Sequence, residues 1–380
     1  MRVLHILNEL RPSGAEVMYH VAADLWKREG LDCEILSAGE KLGVFAPTLE
    51  NDGYRIHHIP FSARAGLVAS ARHLVAVYQF LRRSRFDVIH INSEYANFWY
   101  ALVAWLAGNK RLFRTIHNVF PFRGFLGVER RIQRWIMRNV LGVAMISISP
   151  SVRNTELEYY GNATLLVPNW FDSAKFQPPT ERERTAARKF LGVPEGAMVI
   201  ASVAGCWSYK NHPAIIRALS VLGNEPLVLY LHAGMEDEGY PERRLALDLG
   251  VAERVRFLGV VPQVLPVLHA ADIYLMPSLY EGFGCAATEA MACGLPVLLS
   301  RVQGLRDFGE VCPDIYWVEP TAESIADGIT HFVNMPAERR REIGGRLSQG
   351  VHEHFALEKG ATACARLYRG CAASAGGEPI

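Results

Sequence analysis

The chain has 380 residues, of which 50% are hydrophobic and 21% charged, which is enough to build two separately cored globular domains. A formal net charge of +1 gives no basic excess for nucleic acid, and no uninterrupted apolar stretch approaches the ~20 residues of a membrane-spanning helix. The seven cysteines are scattered and form no Cys-x-x-Cys pair, which fits reduced thiols in a cytosol and gives neither a disulfide framework nor a metal cluster.

The first nine residues break their apolar run with His5, Asn8 and Glu9, so they read as a buried strand rather than a signal peptide. Predicted strands then follow at Val3–Leu7, Cys33–Leu36, Val88–Ile91, Leu112–His117 and Ala144–Ser149. Predicted helices fill the gaps at Ala15–Glu29, His73–Arg83, Tyr95–Ala107 and Val128–Val140. After residue 195 the alternation restarts, with strands at Met198–Val203, Leu227–Ala233, Val255–Leu258, Ile273–Met276, Val297–Ser300 and Ile315–Val318. Such alternation predicts parallel sheets covered on both faces. Between the two blocks, Gln177-Pro178-Pro179-Thr180 reads as a linker running into a helix start. The fold class is therefore α/β, two facing doubly wound domains, with ligands expected outside the carboxyl ends of the strands, in an interdomain cleft.

Five further segments offer chemistry. Arg11-Pro12-Ser13-Gly14-Ala15-Glu16 lies at a strand-to-helix turn, where free N–H groups suit an anion; Ser13 as an ordinary helix cap is the plain alternative. His117 sits at a strand end, as a hydrogen-bonding group or as a satisfied, partly buried histidine; His5, His90 and His232 read as structural. Phe122 and Arg123 lead into a helix carrying Arg130 and Arg134. Aromatics beside arginines suit an anionic membrane surface or a lipid diphosphate, against an amphipathic helix with a basic solvent face. Lys210 stands in a loop after the first strand of the second block, as a phosphate ligand or a solvated lysine.

The fifth segment, residues 276–299, carries most of the information. Glu281 and Glu289 bracket a Gly282-Phe283-Gly284 turn and an apolar helix. A carboxylate among Ala286, Ala287, Ala290 and Met291 is costly to desolvate without a partner. The glycines let backbone approach a ligand, and the helix that starts at Cys285 aims its free N–H groups at the turn. A phosphate cradle with two acceptors for hydroxyl groups suits a sugar nucleotide.

The stretch from Pro277 to Val297 resembles the Glu-x7-Glu signature of glycosyltransferase family 4, the retaining transferases of the GT-B fold, glycosyl transferases group 1. Arg254-Val255-Arg256-Phe257-Leu258-Gly259 and Ala271-Asp272 fall in the family's order before it, and Val167-Pro168-Asn169 with Asp172 and Phe176 matches its crossover segment. The resemblance implies two facing Rossmann-like domains: 1–176, acceptor-side and joined by a last helix at about 356–371, then 177–355, binding the nucleotide sugar, with a fraying tail at 372–380. It implies that Glu289 accepts from the ribose hydroxyls and that Glu281 touches the transferred sugar. The amides of Gly282, Phe283, Gly284 and Cys285 support sugar or diphosphate, Lys210 and the Gly14 loop neutralise the diphosphate, and His117 faces the donor sugar. Lys210, Glu281 and His117 are the catalytic set; Phe122, Arg123, Arg130 and Arg134 lie where relatives receive the acceptor.

The implied reaction moves a sugar from a UDP- or GDP-sugar to a glycan or lipid-linked acceptor, in bacterial surface polysaccharide synthesis. It uses no cofactor and no metal, since no Asp-x-Asp occurs in the chain. The implied place is the cytoplasm, with peripheral contact at the inner membrane surface. Three departures stand out: Ser13 and Trp170 replace glycines, and Cys206 replaces the arginine that shares the diphosphate with the lysine, in a loop one residue short. Arg301 and Arg306 are the candidate replacement cations, or else catalysis leans more on helix N-termini; a sugar-nucleotide epimerase on the same fold and a degenerate nucleotide-sugar-binding module are the alternatives to a transferase.

Overall fold

A computed structural model describes residues 1–62, 64, 66–223 and 227–370; the tail expected at 372–380 lies outside the described residues. The chain forms two compact units, Met1–Trp170 with the chain from Leu357 on, and Phe171–Ala356. The first junction precedes the expected 176/177 boundary. Phe171 bridges to Ala356 and its N–H donates to the Phe355 carbonyl at 3.2 Å, which fixes that stretch to the second unit.

In the first unit the strands are β1 (Arg2–Leu7), β2 (Asp32–Ser37), β3 (Arg55–His58), β4 (Val88–Ile91), β5 (Leu112–Ile116), β6 (Ala144–Ser147) and β7 (Leu165–Leu166). All pairs are parallel, in the order β3-β2-β1-β4-β5-β6-β7. Its helices are α1 (Gly14–Arg28), α2 (Ala46–Asn51), α3 (Gly66–Ser84), α4 (Asn97–Leu106), α5 (Gly124–Asn139) and α6 (Pro150–Tyr160). The central strands are buried on both faces, as near-continuous aliphatic runs require. The edge strands β3 and β7 escape the sequence pattern because Arg-Ile-His-His is mostly polar and Leu-Leu is too short to show a period.

The closing helix Leu357–Tyr368 belongs to this unit. Trp26 donates to the Ala361 carbonyl at 2.9 Å, and the Tyr368 hydroxyl sits 2.5 Å from His90 Nδ1, whose Nε2 meets Thr115 Oγ1 at 2.7 Å. His5 stacks on Trp26 at 5.1 Å; burial pushes its pKa down to about 3, so it is a neutral core group. Trp170 also lies in this core, donating to the Met18 carbonyl at 3.1 Å. It fills packing space in the first unit's core.

The second unit has β8 (Met198–Val203), β9 (Val228–Ala233), β10 (Val255–Phe257), β11 (Ile273–Met276), β12 (Val297–Ser300) and β13 (Tyr316–Val318), again parallel, in the order β10-β9-β8-β11-β12-β13. Its helices are α7 (Glu181–Phe190), α8 (His212–Val221), α9 (Pro241–Asp248), α10 (Leu265–Ala270), α11 (Cys285–Ala292), α12 (Ala322–Val333) and α13 (Ala337–Phe355). The predicted linker enters α7 through a full capping box between Thr180 and Glu183. Arg184 and Arg188 then reach Asp272 at 2.6 and 3.2 Å, and Asp272 accepts the Val199 N–H at 2.7 Å, tying α7 to the sheet. In both sheets the strand order reverses beside the first strand, leaving a crevice at the carboxyl ends of β1/β4 and of β8/β11.

Candidate nucleotide-sugar site

The β8/β11 switch point of the second unit gathers the residues with chemistry. The loop after β8 ends in one 3-10 turn, Ser208–Lys210, and reverses at Asn211, whose φ of +58° lies in the left-handed region that asparagine and glycine tolerate. Asn211 Nδ2 donates to the Pro277 and Pro320 carbonyls at 3.3 and 3.0 Å. The Leu279 N–H donates to the Tyr209 carbonyl at 2.7 Å. The two loops therefore run side by side: Tyr209 stacks on Tyr280 with ring centres 4.9 Å apart, and Lys210 Nζ donates to Glu281 Oε1 at 2.6 Å. Ser278 Oγ donates to the same oxygen at 2.7 Å.

The glycine turn is built from below. The Phe283 ring packs edge-on against Phe308 and Phe355 at 5.2 Å each. Phe283 is buried, so only its main chain remains for a ligand. Gly284 has φ +98° and caps α11; a Cβ there would meet Leu305 Cδ2 at 2.6 Å. Both constraints hold the start of α11, at half-buried Cys285, against the turn.

Glu289 lies one turn along α11 and is half-buried. Desolvation raises its carboxyl to about 7; the charge of Lys175 pulls it down and that of Asp172 pushes it up. Among the described residues no donor lies within hydrogen-bond distance of this carboxylate. It is an acceptor held ready on the helix that leaves the glycine turn.

Cys206 does not face the loop's open side. It is 2% exposed, its N–H donates to the Met235 carbonyl at 2.8 Å, and its Sγ lies 3.6 Å from His232 Nε2. Burial pushes its thiol up to about 12, so it is an inert core group. Of the two replacement cations, Arg301 lies over the Trp317 ring at 5.9 Å, and Arg306 is exposed at the start of a 3-10 turn, Arg306–Glu310.

Gly14, His117 and the Phe122–Arg134 group belong to the first unit. Gly14 opens α1. Ser13 stands at the cap position, but its hydroxyl donates to Glu16 Oε2 at 2.5 Å and makes no cap bond, so the ordinary-cap reading does not hold. His117 follows β5, and its N–H donates to Glu94 Oε1 at 3.2 Å. Its Nε2 is buried with no partner among the described residues, and desolvation lowers its pKa, which keeps the ring neutral near pH 7. Phe122 and Arg123 are exposed, and Arg130 lies over the Phe122 ring at 5.4 Å. Arg134 corrects the sequence reading: it is buried, bidentate to Glu156 at 2.7 Å, and sits 3.9 Å over the Tyr160 ring. It ties α5 to α6 and is not free to meet an acceptor.

Sequence reasoning missed Ser278, the tyrosine stack, and Lys175 with Asp172. Ser278 sits three residues before Glu281 in a turn, a spacing that lets a short hydroxyl reach a carboxylate, and that signal was available. The tyrosine stack joins positions 71 residues apart, Tyr209 and Tyr280, and nothing local announces it.

Residues 12–175 match the profile of the family described as Glycosyltransferase Family 4, and residues 183–346 match that of Glycosyl transferases group 1. A D-inositol 3-phosphate glycosyltransferase of Corynebacterium urealyticum is 29% identical over 245 residues, covering 58% of this chain and 57% of that protein. An Escherichia coli UDP-Gal:alpha-D-GlcNAc-diphosphoundecaprenol alpha-1,3-galactosyltransferase is 24% identical over 271 residues, 67% of this chain and 68% of the relative. Among solved structures, Anabaena HepE in complex with UDP and glucose superposes with a TM-score of 0.83 at 20% identity, covering 97% of this chain and 99% of that one. The lipopolysaccharide glycosyltransferase WaaG superposes at 0.75 with 14% identity, over 97% and 100% of the two chains. The two profiles, in chain order on two parallel-sheet domains, place this chain in the group 1, family 4 glycosyltransferases of the GT-B fold.

Proposed function

We propose that the chain is a retaining glycosyltransferase that moves a sugar from a nucleotide-diphosphate sugar to a glycan or lipid-linked acceptor, in bacterial surface polysaccharide synthesis. One observation carries this: Lys210, Glu281 and the glycine turn converge at the β8/β11 switch point, with Glu289, which has no hydrogen-bond partner among the described residues, on the helix behind the turn. In this reading Lys210 and the first amides of α11 take the diphosphate, Glu289 takes the ribose hydroxyls and Glu281 the sugar. The bond from the anomeric carbon to the diphosphate oxygen breaks, and the acceptor oxygen bonds to the same face. Its proton goes to the departing phosphate oxygen. The Lys210 charge offsets the negative charge that grows on the leaving group. The HepE complexes with UDP, and with UDP and glucose, favour a UDP-sugar over a GDP-sugar, and the lipid-linked substrate in the E. coli relative's name favours a lipid diphosphate acceptor. Melting shifts with UDP and GDP, then transfer assays with a donor panel, test the reading. Activity unchanged by EDTA is the outcome expected of metal-free chemistry. Absence of any nucleotide shift would sink the whole reading, and a nucleotide shift without turnover of any donor would favour the binding module.

Glu289 gives the proposal a pH signature. Ribose hydroxyls donate more strongly to the ionised carboxylate, which forms as pH rises through about 7 in the free protein. Nucleotide binding should therefore tighten by about tenfold between pH 6 and pH 8, and Glu289→Gln should flatten that profile. The folded-state pKa of about 7 lies above the carboxyl's ordinary value, so Glu289 costs the free protein stability; the cost grows as pH rises above that ordinary value and is complete above about 7. Glu289→Gln should accordingly melt higher than the parent at pH 8, with the difference shrinking as pH falls toward about 4. A pH-independent nucleotide affinity in the parent would refute the ribose assignment.

A cytoplasmic place at the inner membrane surface completes the proposal. No helix among the described residues is long and apolar enough to cross a membrane. The solvent side of α5 is nonetheless apolar. Phe125, Val128, Ile132 and Trp135 recur at helical spacing and are all exposed, Phe125 at 84% and Trp135 at 61%. Exposed Arg131 and Arg138 flank the stripe, whereas the sequence pattern allowed a plainly basic solvent face. An apolar stripe edged by arginines suits an anionic bilayer surface, each arginine contributing about 1 kcal/mol there. The double variant Phe125→Ser/Trp135→Ser should lose cosedimentation with phosphatidylglycerol-containing vesicles while keeping its melting temperature. Unchanged vesicle binding would overturn the assignment of this helix.

A further inference from the structure

Glu281 is fixed by two donors that share one of its oxygens. Lys210 Nζ and Ser278 Oγ reach Oε1 at 2.6 and 2.7 Å, and among the described residues no side-chain donor hydrogen-bonds Oε2. The two donors differ in what ties them. Lys210 is a flexible chain at the open side of the site, with 16% of its side chain exposed. Ser278 has no exposed surface, and its carbonyl accepts from Ser300 Oγ at 2.5 Å, which pins it to the end of β12. Its neighbours are pinned as well, through the Leu279 N–H to Tyr209 and the Tyr280 ring on Tyr209.

A diphosphate competes for Lys210. An ammonium group has three donors and no fixed plane, so it turns toward the larger negative charge at little cost. Glu281 then loses one of its two anchors at the moment its free oxygen must meet a sugar hydroxyl. We infer that Ser278 is a positioning residue that holds the Glu281 carboxylate in place when Lys210 turns to the donor's diphosphate. Ser278 itself touches neither sugar nor phosphate; it acts through Glu281, and the inference rests on the nucleotide-sugar reading of this site. A buried hydroxyl locked to the sheet keeps the carboxylate in one orientation, so the ordering cost is met before the donor arrives.

The experiment separates the sugar's share of binding from the nucleotide's. Titrations of UDP and UDP-glucose, or of GDP and its sugars if the parent prefers GDP, give the factor by which the sugar alters affinity. Ser278→Ala should leave nucleoside diphosphate affinity within about twofold of the parent. It should reduce the affinity of the intact donor, and kcat with it, on the order of tenfold or more, as for the loss of a hydrogen bond to a charged group. The same substitution in a Glu281→Ala background should change nothing further, because Ser278 then has no carboxylate to hold. A purely structural serine would lower both backgrounds alike, and that result overturns the inference, as does an unchanged Ser278→Ala. A crystal structure of Lys210→Met should show Glu281 still on Ser278, and one of Lys210→Met/Ser278→Ala should show it displaced; the reverse also overturns it. A parent that binds no nucleotide diphosphate would instead remove the functional reading itself.

Discussion

Lys210→Ala is expected to lower kcat by about 100- to 1000-fold, the range for removing one preorganised charge from a group that becomes anionic in the transition state. The position has no deputy in the immediate loop, since Cys206 is turned into the core with its thiol against His232. Arg301 is stacked on Trp317, and exposed Arg306 lies in a separate turn. The loss should fall mainly on kcat, because the attraction grows as charge moves onto the departing diphosphate. Nucleoside diphosphate affinity should weaken as well, since that product carries the same charge. Removing the lysine also strips Glu281 of its counter-charge and leaves Ser278 as its remaining donor. Lys210→Arg should recover part of the rate, limited by a planar head that cannot match the ammonium's position. Single-turnover kinetics with saturating donor check the assignment. A variant whose kcat equals the parent's would show that Lys210 is no more than the partner of Glu281.

The parts legible in the sequence were those with a local cause. Continuous aliphatic runs announced the central strands, and Gly-Phe-Gly between two glutamates announced the site, because glycine turns and buried carboxylates have few inexpensive explanations. What stayed hidden depends on direction and on distant pairing. Cys206 aligns with a ligand-facing arginine, yet its side chain points into the core, and a sequence position carries no side-chain direction. Arg134 looked like its basic neighbours Arg130 and Arg131 until Glu156, on the next helix, proved to hold it. The apolar stripe of α5 was masked because arginines at its edges dominate the composition, while the exposure of Phe125 and Trp135 is a fact of packing. The roles of Glu281 and Ser278 likewise depend on two loops aligned by the Tyr209–Tyr280 stack.

That difference in direction reverses the natural repair experiment. From the sequence, Cys206→Arg should tighten diphosphate binding by restoring a missing cation. From the structure, the new guanidinium would start in a space that holds a thiol at 2% exposure, beside His232 and its neighbour His212, whose rings lie 4.5 Å apart. Burial already lowers the pKa of both histidines, that of His212 to about 3, so desolvation of a cation is costly here, although the charges of Glu242, Glu236 and Asp237 act on this position. Overpacking and the desolvation of a guanidinium together should cost about 3 kcal/mol. For a chain of this size that is a fall of roughly 5–10 °C in Tm. Nucleotide affinity should stay level or weaken. Trp207, the next residue, is 43% exposed, so Trp207→Arg presents a cation without entering the core and should keep Tm within a few degrees of the parent. Calorimetry and UDP titration of the two variants side by side decide the matter. Tighter binding by Cys206→Arg at an undiminished Tm would mean that the loop can turn this position outward, and the burial argument for Cys206 would fail.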